Sequence, residues 1–117
     1  MALALNVFKT VTHVVPTSPV GIYTAPIGYA GVVLLAQVAN IGNQQQTVTF
    51  SHKRTVAGIA VTTEIVKDFQ VPANDAVSFL DGKLVLESND VLVVSGSHAS
   101  NLKLTVSVIE TLKWWKG

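Results

Sequence analysis

Apolar and polar residues alternate with a period of two along most of this chain. The clearest run lies near the C-terminus. Leu102, Leu104, Val106 and Val108 share one parity, and Lys103, Thr105, Ser107 and Thr111 share the other. Strict alternation of this length marks a half-buried strand. Glu110 falls on the apolar parity, so the strand is expected to leave the core there or to hold Glu110 at its rim. Gln46 to Lys53 alternates in the same way, with Val48, Phe50 and His52 predicted inward and Thr47, Thr49, Ser51 and Lys53 outward. Ala30 to Asn40 is apolar on both parities at its start: Val32, Leu34, Ala36 and Val38 on one, Val33, Leu35, Gln37 and Ala39 on the other. That pattern predicts a central strand.

Turn residues punctuate these runs. Pro16 to Pro19 ends a first strand expected within residues 6–15, where Val7, Lys9, Val11, His13 and Val15 share a parity. Gly21 to Ala25, stopped by Pro26, reads as a short edge strand, a template for a neighbour's strand. Asn40-Ile41-Gly42-Asn43 predicts a hairpin between 30–40 and 46–54. Residues 55–60, around Gly58, read as a loop before a β-branched strand over Val61 to Val71, which Pro72-Ala73-Asn74-Asp75 closes. Asp81-Gly82 between apolar runs predicts a second hairpin, because a two-residue primed turn needs the positive φ that this pair adopts cheaply. Ser88-Asn89-Asp90 and Gly96 to Asn101 are the last turns. No segment shows helical periodicity. Seven or eight antiparallel strands at intervals of about 10 residues predict an all-β domain over 1–117, a β-sandwich of jelly-roll or immunoglobulin-like type, with a small β-barrel as the alternative. An arm at residues 1–6 and a tail at 113–117 flank it.

Composition narrows the functional classes. Charged residues make up 13% of the 117 positions, against roughly 25% in ordinary soluble domains. A surface so poor in charge has little electrostatic defence against association, which points to a partner covering part of it. The net charge of +1 provides no footprint for nucleic acid. The absence of Cys rules out disulfides and thiolate metal sites and fits a reducing compartment. The N-terminus, Met-Ala-Leu-Ala-Leu-Asn-Val-Phe-Lys, lacks the basic region of a signal peptide. No run approaches the ~18 apolar residues of a spanning helix, and no membrane association is expected.

Candidate chemistry is sparse. His13, His52 and His98 are scattered without metal-ligand spacing and read as solvated or rim residues. Asp68, Asp75, Asp81, Glu87, Asp90 and Glu110 fall mostly in or beside turns, where Asp75, Asp81 and Asp90 have backbone-bonding roles. They lack a calcium-loop spacing. No Gly-x-Ser-x-Gly elbow is present. His52-Lys53-Arg54 reads as a solvated strand end. No catalytic activity, metal or cofactor is expected. The tail Lys113-Trp114-Trp115-Lys116-Gly117 concentrates both tryptophans of the chain. Trp is enriched at interface hot spots, so Trp114 and Trp115, with Leu3, Leu5, Val7 and Phe8 at the other terminus, are the expected partner contacts. The other reading packs the rings onto the chain's own sandwich end.

Ile22-Tyr23-Thr24-Ala25-Pro26, Val32 to Asn40, Gly82-Lys83-Leu84-Val85-Leu86-Glu87, Asn89-Asp90-Val91-Leu92 and Thr105 to Glu110 together resemble a group of small virion structural proteins of tailed bacteriophages. The resemblance covers residues 20–111. It implies a β-sandwich accessory component of a phage particle with no catalytic residue. The particular expectation is a capsid decoration or cement protein, assembled in the bacterial cytoplasm, bound to a major capsid protein and forming a homo-oligomer. The alternatives are a neck, collar, tail or baseplate accessory protein, or a host-surface or carbohydrate-binding module.

Overall fold

The computed structural model describes residues 6–80 and 82–112, which form nine strands and no helix. The strands are β1 (Asn6–Val14), β2 (Val20–Thr24), β3 (Tyr29–Asn40), β4 (Gln46–Val56), β5 (Ile59–Val71), β6 (Asp75–Ser78), β7 (Leu84–Leu86), β8 (Val91–Gly96) and β9 (Leu102–Leu112). One antiparallel sheet has the order β1-β9-β3-β6, with β7 also paired to β3, and the other has the order β2-β8-β4-β5. The sheets stay open and stack face to face, so the sandwich is correct and the small-barrel alternative is not.

The ninth strand arises from a break. β6 pairs with Gln37 to Asn40 and β7 with Gly31 to Val33, so the two lie end to end along β3. Counted as one interrupted strand, they leave eight strands in the double Greek-key winding of a jelly roll. In this winding every connection except β4–β5 passes between sheets. Both hairpins expected from the sequence are therefore absent. β3 and β4 belong to opposite sheets. Gly82 lies between two collinear segments and not in a hairpin turn, and Asp81 itself is outside the described residues. Alternation identifies a half-buried strand but not its partner, because the inner faces of two stacked sheets carry the same pattern.

A bulge explains the doubly apolar start of β3. Its pairing with β9 shifts between Val33 and Leu35. Gly31 and Val33 point inward before the shift, and Ala36, Val38 and Asn40 after it. The extra residue changes the phase and leaves Leu34, expected to share a face with Ala36, 39% exposed. The core lies between the sheets and is built from Val33, Val48, Phe50, Leu86, Leu92, Val94, Leu102, Leu104, Val106 and neighbours. Phe79 stacks on Phe50 (centroids 4.9 Å) and meets Phe69 edge-on at 6.1 Å, sealing the side where β5 and β6 face each other.

Candidate interaction surface

Two buried carboxylates fix one end of the sandwich, where β1 and β3 begin and β9 ends. Glu110 stays on the inward parity of β9 and is 4% exposed. The strand does not leave the core there, because the charge is matched. Tyr23 Oη donates to Glu110 Oε2 at 2.6 Å, and Lys9 Nζ lies 3.1 Å from Oε1. Burial, the bond to Glu110 and that residue's negative charge all push the Tyr23 hydroxyl well above its ordinary pKa. Glycine at position 31 makes room for this contact: a Cβ there would sit 2.9 Å from the Tyr23 hydroxyl.

The second carboxylate, Asp90, is 2% exposed in the turn before β8. Its Oδ2 accepts from His52 Nε2 (2.9 Å), Arg54 Nη2 (2.8 Å), Arg54 Nε (3.1 Å) and the Glu87 N–H (2.9 Å). Arg54 Nη2 also reaches Glu87 Oε2 at 3.2 Å. Burial pushes the Asp90 carboxyl up, but the bonds from Arg54, His52 and Glu87 N–H outweigh it and hold the group below the usual carboxylate range. The segment read as a solvated strand end is thus half structural: His52 and Arg54 project inward to Asp90, while Lys53 is exposed. His98 also serves a turn, its Nδ1 accepting from the Ser100 and Asn101 N–H groups at 3.2 and 3.3 Å.

Beyond this cluster β4 and β5 run on as a two-stranded tongue, residues 54–61. The ladder with β8 ends at Lys53, opposite Val91. The strands pair Arg54 with Val61 and Val56 with Ile59, and Ala57-Gly58 joins them. Both joining residues have positive φ, 53° and 80°, the signature of a primed two-residue turn. The loop expected over 55–60 is therefore strand and turn. No Asn-Gly or Asp-Gly pair signals it; Gly58 alone does. Directly opposed residues share a face, so His52, Arg54, Val56, Ile59, Val61 and Thr63 continue the core-facing side of their sheet. Val56, Ile59 and Val61 are nevertheless 64%, 67% and 58% exposed, because no described residue covers them.

A second apolar feature, half-buried in the middle and exposed at its ends, crosses the outer face of the β1-β9-β3-β7 sheet. Phe8 pairs with Ile109, Ile109 with Val32, and Val32 with Val85. Their neighbours Val108, Val33 and Leu86 point into the core, so this row faces outward across four strands, with Phe8 74% and Val85 53% exposed. The outer face of a sandwich is ordinarily polar, and the other sheet is close to the rule: Thr49, Ser51, Lys53, Thr62, Glu64 and Ser95 line a groove of about 380 Å3 on its outer face, with Val93 and Pro19 the apolar exceptions.

Of the expected contact residues, Phe8 lies in the outward row and Val7 points to the core side opposite Glu110. Leu3, Leu5, Trp114 and Trp115 lie outside the described residues, which end at Asn6 and Leu112 on this same end of the sheet. The row was not legible from the chain in order, since its members come from four strands. The edge strands are blunted against strand addition. β2 has five residues and a bulge between Gly21 and Tyr23, β1 points Lys9 inward, β5 carries bulges and Asp68 at φ 51°, and β6–β7 is interrupted. Among the described residues no group of three or more His, Asp or Glu side chains converges as metal ligands would.

No protein-family model matches the chain, and no curated protein matches it in sequence. Among solved structures it is similar to a chain in the acid-stable capsid structure of Helicobacter pylori bacteriophage KHP30. The two are 16% identical with a TM-score of 0.52, over 95% of this chain and 90% of the other. That is a likeness of fold between two chains of similar length.

Proposed function

We propose that this chain is a structural protein of a bacteriophage particle, and within that class a decoration protein that binds and stabilises the assembled capsid. The observation that carries this reading is the end-to-end fold likeness to a similarly small chain of a phage capsid structure. The apolar end supports it: the exposed Val56, Ile59 and Val61 of the tongue and Phe8 and Val85 of the outward row, in a chain with so little charge, suit a subunit that works packed against neighbours. Its contacts are other virion proteins, and its place is the virion.

The test adds the purified protein to particles assembled without it. Saturable binding at a copy number proportional to the capsid's subunits, with a higher disruption temperature of the shell, is the expected result. Binding of only a few copies at one vertex would move the protein to the neck or tail. Failure to bind any particle, together with retention on a glycan surface, would overturn the structural reading in favour of a host-surface module.

A further inference from the structure

The tongue and the outward row look to the same side of the molecule. The tongue presents the inner side of its sheet, and the row presents the outer side of the sheet stacked on it, so the two apolar surfaces form a step one sheet spacing high, about 10 Å. Such a step is self-complementary across a twofold axis: turned over, each tongue meets the other's row, and both contacts close together. A different protein would have to supply a matching step, whereas a second copy has one by construction. The electrostatics suit the meeting of identical surfaces. The row is uncharged, as are the flanking rows Asn6–Thr111–Ala30 and Thr10–Ser107–Leu35 on β1, β9 and β3; beside Val85 the flanking charges are Lys83 and Glu87, of opposite sign, and Glu87 pairs with Arg54. On the tongue's apolar side the charge of Arg54 is already matched by Asp90 and Glu87. Reciprocity also doubles the covered area, toward the roughly 1,200 Å2 of a small specific interface. The four blunted sheet edges leave faces, and not strand addition, as the means of association.

We infer that two copies of this chain pair across a twofold axis, with Val56, Ile59 and Val61 of each seated on the Phe8–Ile109–Val32–Val85 row of the other. This pairing belongs to the isolated chain and does not depend on the virion reading. The test is sedimentation equilibrium of the full chain, the Ile59→Asp and Phe8→Asp variants, and their equimolar mixture. Far-ultraviolet circular dichroism verifies that both variants fold, as expected for exposed positions. The expected result is a wild-type dimer, each variant weakened about 30-fold or more, and partial recovery of dimer on mixing, because the tongue of the Phe8→Asp copy and the row of the Ile59→Asp copy are intact. A wild-type monomer at high concentration overturns the inference. So does an Ile59→Asp variant that dimerises normally, which would mean row against row, or a Phe8→Asp variant that does, which would mean tongue against tongue. Open-ended wild-type oligomers would replace the twofold with a head-to-tail contact. If either variant fails to fold, Val61→Asp and Val85→Asp repeat the pair.

Discussion

At the scale of single residues, the decisive groups are the carboxylates that an all-β core would normally exclude. A buried charge is tolerated only when its partners are complete, and Asp90 has four donor contacts from three residues. Removing it should destabilise the fold. Asp90→Asn keeps the shape but gives up the charge that organises Arg54, His52 and the Glu87 N–H, at an expected cost of about 2–3 kcal/mol by urea denaturation. The pH dependence has a definite sign. The Asp90 pKa is depressed in the folded state, so its stabilisation is present above the unfolded carboxylate value of about 3.9 and is lost as pH falls through the folded pKa. Thermal denaturation between pH 6 and pH 2 should show a decline in wild type that is shallower in Asp90→Asn. A decline of equal slope in both would place the acid sensitivity elsewhere. Asp90 is legible in the sequence as a turn residue, and the Glu87 N–H bond agrees. Its partners His52 and Arg54 are not legible there, since they lie 38 and 36 residues away.

At the scale of elements, the tongue is the one hairpin among the described residues, and its turn is not ideal. Ala57 occupies the left-handed region at φ 53°, which costs an L-residue with a Cβ roughly 1–2 kcal/mol and costs Asn less. Ala57→Asn should therefore raise stability by about 0.5–1 kcal/mol. Gly58→Ala, at φ 80°, should lower it by about 1 kcal/mol. Differential scanning calorimetry of the two variants reads both, and a turn without the primed geometry would not separate them in sign. An isolated two-stranded ribbon is marginal in water, so this one depends on its root, where Asp90 ties β4 to the start of β8. The alternation in Gln46 to Lys53 was legible, but the continuation to Val56 and back from Ile59 was not, because short apolar clusters around a glycine read equally well as loop.

At the scale of the whole molecule, the sandwich is polarised along its 54 Å axis. One end holds the exposed side chains Phe8, Ile27, Val56, Ile59, Val61 and Val85. The other carries fewer of them, Val14 and Ile41, and is built from polar turns around Asn40, which donates to the Gln44 and Val71 carbonyls and accepts from the Gly42 N–H. Association through the apolar end should be driven by burial and not by charge. Raising NaCl from 0.05 to 0.5 M should then leave the self-association constant within about threefold, and sodium sulfate should strengthen it. A steep loss of association with NaCl, measured by sedimentation, would show that charged contacts dominate.

The sequence alone determined that the chain is all-β, which segments are half-buried strands, and that Leu102, Leu104, Val106 and Val108 line the core. These properties are local: alternation and turn chemistry act between residues a few positions apart. Long-range packing sets which strands pair, joins β6 and β7 as one interrupted strand, and turns Leu34 outward through the β3 bulge. It also decides that Glu110 and Asp90 remain buried, and that Phe8, Ile109, Val32 and Val85 meet in one row. Those outcomes depend on contacts between residues far apart in the chain, and the period-two pattern is the same whichever sheet a strand joins.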